Sequence, residues 1–443
     1  MNQPINPASL TPETAKALFE QSMQLAMATT GSRPENLQRA IAGYEAVLGV
    51  FTQTAYPAQW AAILNNLGFA YAELPAGDRG ENLRRAIACY ENAARVQTKA
   101  ADPGTWGDLQ NNLGTAYSAL PIGDRGENLR RAIVCYEGAL GVFFEAGRLA
   151  DWATTQDNLG VAYAKLPTGD RGQNLEKAIA CYTAALGVFT EKINGIRWAM
   201  VQNNMGTAYL HRPGGDKAEN FRKGIGCLEA SLRVFTEKEH PGQWATIQTN
   251  LGAAYSNAPA DERGDYLRRA IDCFEAALRV RTEADYPAQW AMTQINMGIA
   301  YMELPDGDRG KNVSQAIARF ESALRIQVEG DFQTQWASTQ NALGAAYAEL
   351  PNGDRAENLL KAVTCHEAAL GVLGEADAPA EWATSQAKLG LALEELADLT
   401  NEASLAERAA DCYEAAHRGF KACGLHEDAA EMANYAKEAR EMF

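Results

Sequence analysis

Cysteine and histidine are the side chains from which a metal or redox centre would be built. Cys89, Cys135, Cys181, Cys227, Cys273 and Cys365 recur at 46 residues or a multiple of it. Neighbours in such a column sit on different helices, beyond the roughly 7 Å Cα separation that a disulfide spans, so they predict small core fillers and not a redox pair. No Cys-x-x-Cys occurs, and His211, His240, His366, His417 and His426 have no paired ligand spacing. Cys365 and His366 would project about 100° apart on a helix, poor geometry for a nucleophile and its base. Gly307-Asp-Arg-Gly-Lys-Asn312 has the outline of a phosphate loop, but Pro305 takes the leading glycine position and Asn312 the Ser/Thr position. No catalytic residue, metal site or cofactor is predicted, and the chain reads as non-enzymatic.

The recognition chemistry that remains is carried by amides. Asn66, Asn112, Asn158, Asn204, Asn250 and Asn296 form one file at the 46-residue interval, and Asn65, Asn111, Asn203 and Asn341 belong to a second beside it. Asparagine is a mediocre helix residue, so ten on one helical face call for a reason. An amide offers both a donor and an acceptor to a peptide main chain, whatever the peptide's side chains. Packed helices lie about 8–10 Å apart, close to three residues of extended chain at about 3.3 Å each. These ten asparagines are therefore the predicted partner-binding residues. The competing reading is that each amide bridges to the neighbouring helix and fixes the stacking; the two are compatible.

The elements that carry these residues follow from the period. Trp60, Trp106, Trp152, Trp198, Trp244, Trp290, Trp336 and Trp382 fall 46 residues apart without an insertion. A glycine, Gly68 in the first of these units, follows each Trp by eight residues, and in seven units a tyrosine such as Tyr71 follows that glycine by three. Such regularity means a linear ladder of like units, each touching its neighbours. Within a unit, Pro57 to Leu74 is predicted as helix A, because Pro stands at its entry and Pro75 just past its exit. Trp60, Leu64, Leu67 and Tyr71 make its buried stripe. Helix B runs from Glu81 to about Lys99, with Leu83, Ala86, Ile87, Tyr90 and Ala93 on its apolar side. Asp78 with Glu81 has the form of a capping box, repeated at Asp124/Glu127, Asp170/Gln173, Asp216/Glu219 and Asp354/Glu357. An A/B hairpin cannot cover its own stripes, so hairpins must stack, with the tryptophans in the core and the glycines at close helix contacts.

The array has ends. Residues 1–55 read as a divergent N-terminal hairpin, 56–423 as eight 46-residue repeats of which the last is degenerate, and 424–443 as a capping helix with a polar outer face. The chain of 443 residues is 47% hydrophobic and 22% charged, and 40 Lys plus Arg against 56 Asp plus Glu leave a formal charge of -16. That excess repels phosphate backbones and anionic lipid, so neither nucleic acid nor membrane is an expected partner. No cationic leader precedes an apolar stretch, and no apolar run approaches about 18 residues, so the chain is expected to be soluble and cytoplasmic.

Leu67, Gly68 and Tyr71 of helix A with Ala86, Tyr90 and Ala93 of helix B match the Leu-Gly-x-x-Tyr … Ala-x-x-x-Phe-x-x-Ala signature, so the sequence resembles the tetratricopeptide repeats over nearly its whole length. The unit is 12 residues longer than the common 34-residue form. It is similar to long bacterial repeats found with CHAT protease modules, and its Asn-Asn-Leu to kinesin light chain repeats. The resemblance implies an all-α solenoid, a right-handed superhelix whose concave wall is lined by the A helices. It also implies a protein-interaction scaffold that binds a peptide or small domain in the groove; the alternative is a regulatory subunit of a separately encoded effector such as a CHAT-type protease. Wall positions Glu73, Asp108, Asp157, Glu303 and Glu349 against Lys165 and Lys388 favour a neutral or basic partner. Phe69, Val161, Met200, Met292 and Ile299 would supply shallow apolar pockets.

Overall fold

The computed structural model describes residues 10–259, 263–327 and 333–442. Residues 1–9 of the expected N-terminal hairpin and Phe443 of the expected cap lie outside this set. Two compact units divide between Val234 and Phe235. The first holds α1 (Pro12–Met27), α2 (Arg33–Leu48), α3 (Pro57–Glu73), α4 (Arg79–Val96), α5 (Pro103–Ala119), α6 (Arg125–Glu145), α7 (Leu149–Lys165), α8 (Arg171–Leu186), α9 (Gly195–Leu210) and α10 (Lys217–Ser231). The second holds α11 (Pro241–Ser256), α12 (Arg263–Val280), α13 (Pro287–Glu303), α14 (Arg309–Leu324), α15 (Gln333–Glu349), α16 (Arg355–Val372), α17 (Pro379–Thr400), α18 (Ala403–Ala422) and α19 (His426–Glu441). There is no strand among the described residues. Within each unit consecutive helices pack as antiparallel hairpins and each hairpin stacks on the next, so the fold is an all-α solenoid. The odd-numbered helices α3 to α17 are the A helices and the even-numbered ones their B partners.

The predicted bounds hold to within a few residues. Pro57 opens α3 at its first position, where no N–H is needed. Helix α4 stops at Val96, three residues short of the expected end.

The hairpins α3/α4, α5/α6, α7/α8, α11/α12, α13/α14 and α17/α18 close through the same contact, a Tyr or Phe ring of helix B against the glycine of helix A, whereas Gly206 faces Leu228 and Gly344 faces His366. A Cβ added at Gly68 would lie 2.7 Å from Tyr90 Cε1, and one at Gly114 2.6 Å from Tyr136 Cε1. The missing side chain is what lets the B-helix ring lie flat on helix A. Leu67, Leu83, Ala86 and Ala93 are buried around it, as their stripes predict.

The Gly-Asp-Arg loop is a structural latch, and more of it is engaged than capping alone requires. Gly77 has φ +81°, a left-handed turn that glycine enters without a Cβ penalty. Asp78 accepts from the Glu81 N–H at 2.6 Å and so caps α4. Only this half of the expected capping box forms, because Glu81 turns outward to pair with Arg84 and Arg85. Arg79 donates to the Ala72 carbonyl at the end of α3. Asn82, buried, donates to the Ala76 carbonyl at 2.9 Å and pins the loop from beneath. Asn128 and Asn174 repeat that bond at 2.9 Å to Ile122 and Thr168.

The tryptophan column departs from expectation. Trp198 and Trp244 are buried, but Trp60, Trp106, Trp152, Trp290, Trp336 and Trp382 are half-buried. The indole stands in the first turn of helix A, at the edge of the hairpin. In α5 one side packs on helix B, where Trp106 Cζ3 and Cη2 close on Gly138, and at three of the eight tryptophans a cation covers part of the ring. Lys99 lies over Trp106, Arg233 over Trp198 and Arg279 over Trp244. The cysteine column is free of disulfides, and burial pushes the thiols of Cys89, Cys135 and Cys181 up to about 11, so they stay protonated and inert at neutral pH.

Candidate partner-binding face

The face opposite the core stripe of helix A carries the predicted asparagines. Asn65 and Asn66 stand on α3, Asn111 and Asn112 on α5, Asn158 on α7, Asn203 and Asn204 on α9, Asn250 on α11 and Asn296 on α13, all half-buried. Asn341 on α15 is buried, only 9% exposed.

Within the first unit the amides join successive A helices in a repeated offset. Asn112 Nδ2 donates to Asn65 Oδ1 at 3.2 Å, and Asn158 Nδ2 to Asn111 Oδ1 at 3.4 Å. Asn204 Nδ2 donates to Asp157 Oδ1 at 3.0 Å. Each bond spans 47 residues, one period plus one, so the first file reaches back to the second. The stacking role is therefore realised for these three pairs. Capacity is left over, since an amide has two N–H donors and two lone pairs on its oxygen. Asn65 keeps both donors, and Asn112 and Asn158 keep their oxygens, with no further side-chain bond among the described residues.

The charges on this face are mostly answered from within. Asp108 is paired with Arg148 at 2.8 Å, Glu303 with Arg263 and Glu349 with Arg309. Asp157 is buried, and desolvation raises its carboxyl pKa against the opposing pull of the Asn204 amide and the Arg197 charge. Glu73 and Lys165 are exposed. Of the expected apolar positions, Met200, Met292 and Ile299 are exposed, while Phe69 and Val161 are half-buried.

Two arrangements escaped the sequence reasoning. First, Tyr71 Oη donates to Glu45 Oε1 of the preceding B helix at 2.6 Å while Arg85 of its own hairpin lies over the ring. Tyr117 with Glu91 and Arg131 repeats it, as do Tyr163 with Glu137 and Lys177, and Tyr347 with Glu321 and Lys361. Tyr71 is driven up to about 12, by desolvation first and then by the Glu45 carboxylate. Second, Asn341 lies in a polar knot: Nδ2 donates to Ser385 Oγ at 2.6 Å and Oδ1 meets His366 Nδ1 at 2.9 Å. Its amide serves the fold. His366 stands in register with Tyr90, Tyr136, Tyr182, Phe274 and Phe320, so the period itself marked it as an exception. Burial, helped by the Lys388 charge, lowers the imidazole to about 4, so it is neutral at physiological pH.

The sequence matches no established family description and no curated protein. Solved structures to which the chain is similar include the apo form of RapI, at 14% identity over 86% of this chain and 97% of that one with a TM-score of 0.50. Another is a Signal Transduction ATPase with Numerous Domains protein with a tetratricopeptide repeat sensor from Pyrococcus horikoshii, at 13% identity over 98% of this chain and 63% of that one, TM-score 0.45. A third is the TPR domain of P58(IPK), at 13% identity over 97% and 98% of the two chains, TM-score 0.26. Among the described residues no helix is long and apolar enough to cross a membrane. The stacked hairpins and the likeness to RapI agree on the fold: the chain is an all-α solenoid, similar in fold to RapI.

Proposed function

We propose that the chain is a non-catalytic protein-interaction scaffold that seats an extended peptide segment on the A-helix face. The observation that carries this reading is the amide ladder of Asn65, Asn112 and Asn158, half-buried side chains that tie the A helices together and keep donors and acceptors with no side-chain partner among the described residues. The spacing of packed helices, about 8–10 Å, lets successive amides address every third residue of an extended chain. In the first unit, where this ladder lies, Asp108 is already paired with Arg148, so the face favours a neutral segment first and a basic one second.

The test is a peptide array probed with the full-length chain and with Asn112→Ala/Asn158→Ala. Peptides selected by the parent should bind the double variant at least tenfold more weakly while its melting temperature falls by only a few degrees. Equal binding by the two proteins, or no peptide selected by the parent, would sink the proposal.

A further inference from the structure

The loop edge of the first unit breaks the charge pattern that the second unit keeps. In the second unit the arginines that open α14 and α16 each donate to a carbonyl at the end of their own A helix and also pair with an acid on the next A helix. Arg309 reaches the Met302 carbonyl and Glu349, and Arg355 the Ala348 carbonyl and Glu395. Arg263 pairs with Glu303 in the same way. The charges at this edge thus alternate and cancel.

Four 46-residue intervals earlier, the place of Glu349 is taken by Lys165, and the triad Arg309–Glu349–Arg355 becomes Arg125–Lys165–Arg171. Ala119 stands where Arg79 would find its acid, and His211 where Arg171 would. Arg125 Nη1 donates to the Ser118 carbonyl at 2.7 Å, and Arg171 Nη1 to the Ala164 carbonyl. These bonds hold both guanidinium groups in place and leave most of their five N–H donors unused. Neither arginine, nor Lys165, has a carboxylate within ion-pair reach among the described residues. The acids nearest in sequence, Asp124 and Asp170, cap α6 and α8 by accepting from the Glu127 and Gln173 N–H groups.

The three cations line one open cavity of about 510 Å³, walled otherwise by Ala164, Leu166, Pro167 and Gly169. No acid lines it, in a chain whose formal charge is -16. We propose that Arg125, Lys165 and Arg171 form a binding site for a phosphoryl group, free or esterified to a peptide side chain.

The chemistry selects that ligand. A carboxylate brings one charge and two oxygens to three cations, whereas a phosphate monoester brings nearly two charges and three terminal oxygens, one for each. A single phosphoryl group also escapes the chain's acidic surface, because charges more than about 10 Å away are screened at 0.1 M salt. A nucleic acid would hold its neighbouring phosphates against that surface. The site lies at the loop edge, where Lys165 ends the α7 part of the A-helix face beyond Asn158, and does not depend on peptide binding along the asparagine files.

Calorimetric titration of the full-length chain tests it, with inorganic phosphate, a short peptide carrying one phosphoserine, the same peptide unmodified, and acetate at matched ionic strength. Phosphate and phosphopeptide should bind at one site per chain, and acetate and the unmodified peptide at least tenfold more weakly. A phosphopeptide tighter than inorganic phosphate identifies the esterified form as the better ligand; equal affinities identify the anion alone. Lys165→Glu restores the Arg–Glu–Arg order that already folds in the second unit, so it should keep the parent melting temperature and weaken both phosphoryl probes at least tenfold. Lys165→Gln should weaken them severalfold. A parent chain that binds neither phosphoryl probe, or binding that survives Lys165→Glu, would overturn the assignment.

Discussion

Asn204 Nδ2 donates to Asp157 Oδ1 at 3.0 Å, and that carboxyl group is only 6% exposed. It occupies the register in which Asn65, Asn111 and Asn203 stand in other repeats, so one rung of an amide ladder has become an acid. Burial raises its pKa, which means that the fold disfavours the ionised form. For a raised carboxyl the sign is that stability is highest below the ordinary pKa and falls as pH rises through the shifted one. Asp157→Asn should therefore raise the melting temperature at pH 7 and leave it nearly unchanged at pH 3. A lower melting temperature at pH 7 would contradict this account.

Removing the donor should have the opposite effect. Asn204→Ala leaves a buried carboxylate without its hydrogen bond and should cost about 1–3 kcal/mol. Asn112→Ala should cost about 1 kcal/mol or less, because its acceptor Asn65 is half-buried and can turn to water. Urea unfolding of the two variants side by side gives the ranking, and equal losses would mean that burial of Asp157 is not the deciding factor.

His366 makes the second unit sensitive to acid. Its imidazole is 1% exposed and held at about 4, below the ordinary 6.5, by desolvation and by Lys388. A depressed histidine contributes its full stability above pH 6.5, and that contribution is lost as pH falls from there through 4. At 1.36 kcal/mol per pKa unit the loss approaches about 3 kcal/mol. His366→Phe, which restores the Phe274 and Phe320 register, should flatten the dependence of melting temperature on pH across this window. A slope that persists in the variant would place the acid sensitivity elsewhere.

Two glycine substitutions in one hairpin should have opposite signs. A Cβ at Gly114 meets the Tyr136 ring, so Gly114→Ala should cost about 1–3 kcal/mol through overpacking. A Cβ at Gly141 on α6 meets nothing within 4 Å, so Gly141→Ala should gain up to about 1 kcal/mol of helix propensity. Loss of stability in both would show that the Gly-on-ring contact is not what distinguishes the two sites.

The tryptophans should divide by burial. Trp198, 8% exposed beneath Arg233, should cost about 3–5 kcal/mol on change to Ala, and half-buried Trp60 distinctly less. Guanidinium melts of Trp198→Ala and Trp60→Ala check the order.

The period of 46, the bounds of α3 and α4 to within three residues, the Gly68 column as a close helix contact and the Asp78 cap were legible in the residues alone. Each depends on neighbours within a few positions, or on a column that repeats so regularly that packing has one consistent solution. The Tyr71–Glu45 tie, the amide bonds offset by one residue from the period, the buried Asp157 and the half-covered Trp60 were not. They join segments 26 or 47 residues apart, or depend on how deep in the stack one turn lies. Local propensity says which face of a helix is polar, but only the approach of the next helix decides which polar atoms meet and which keep their water.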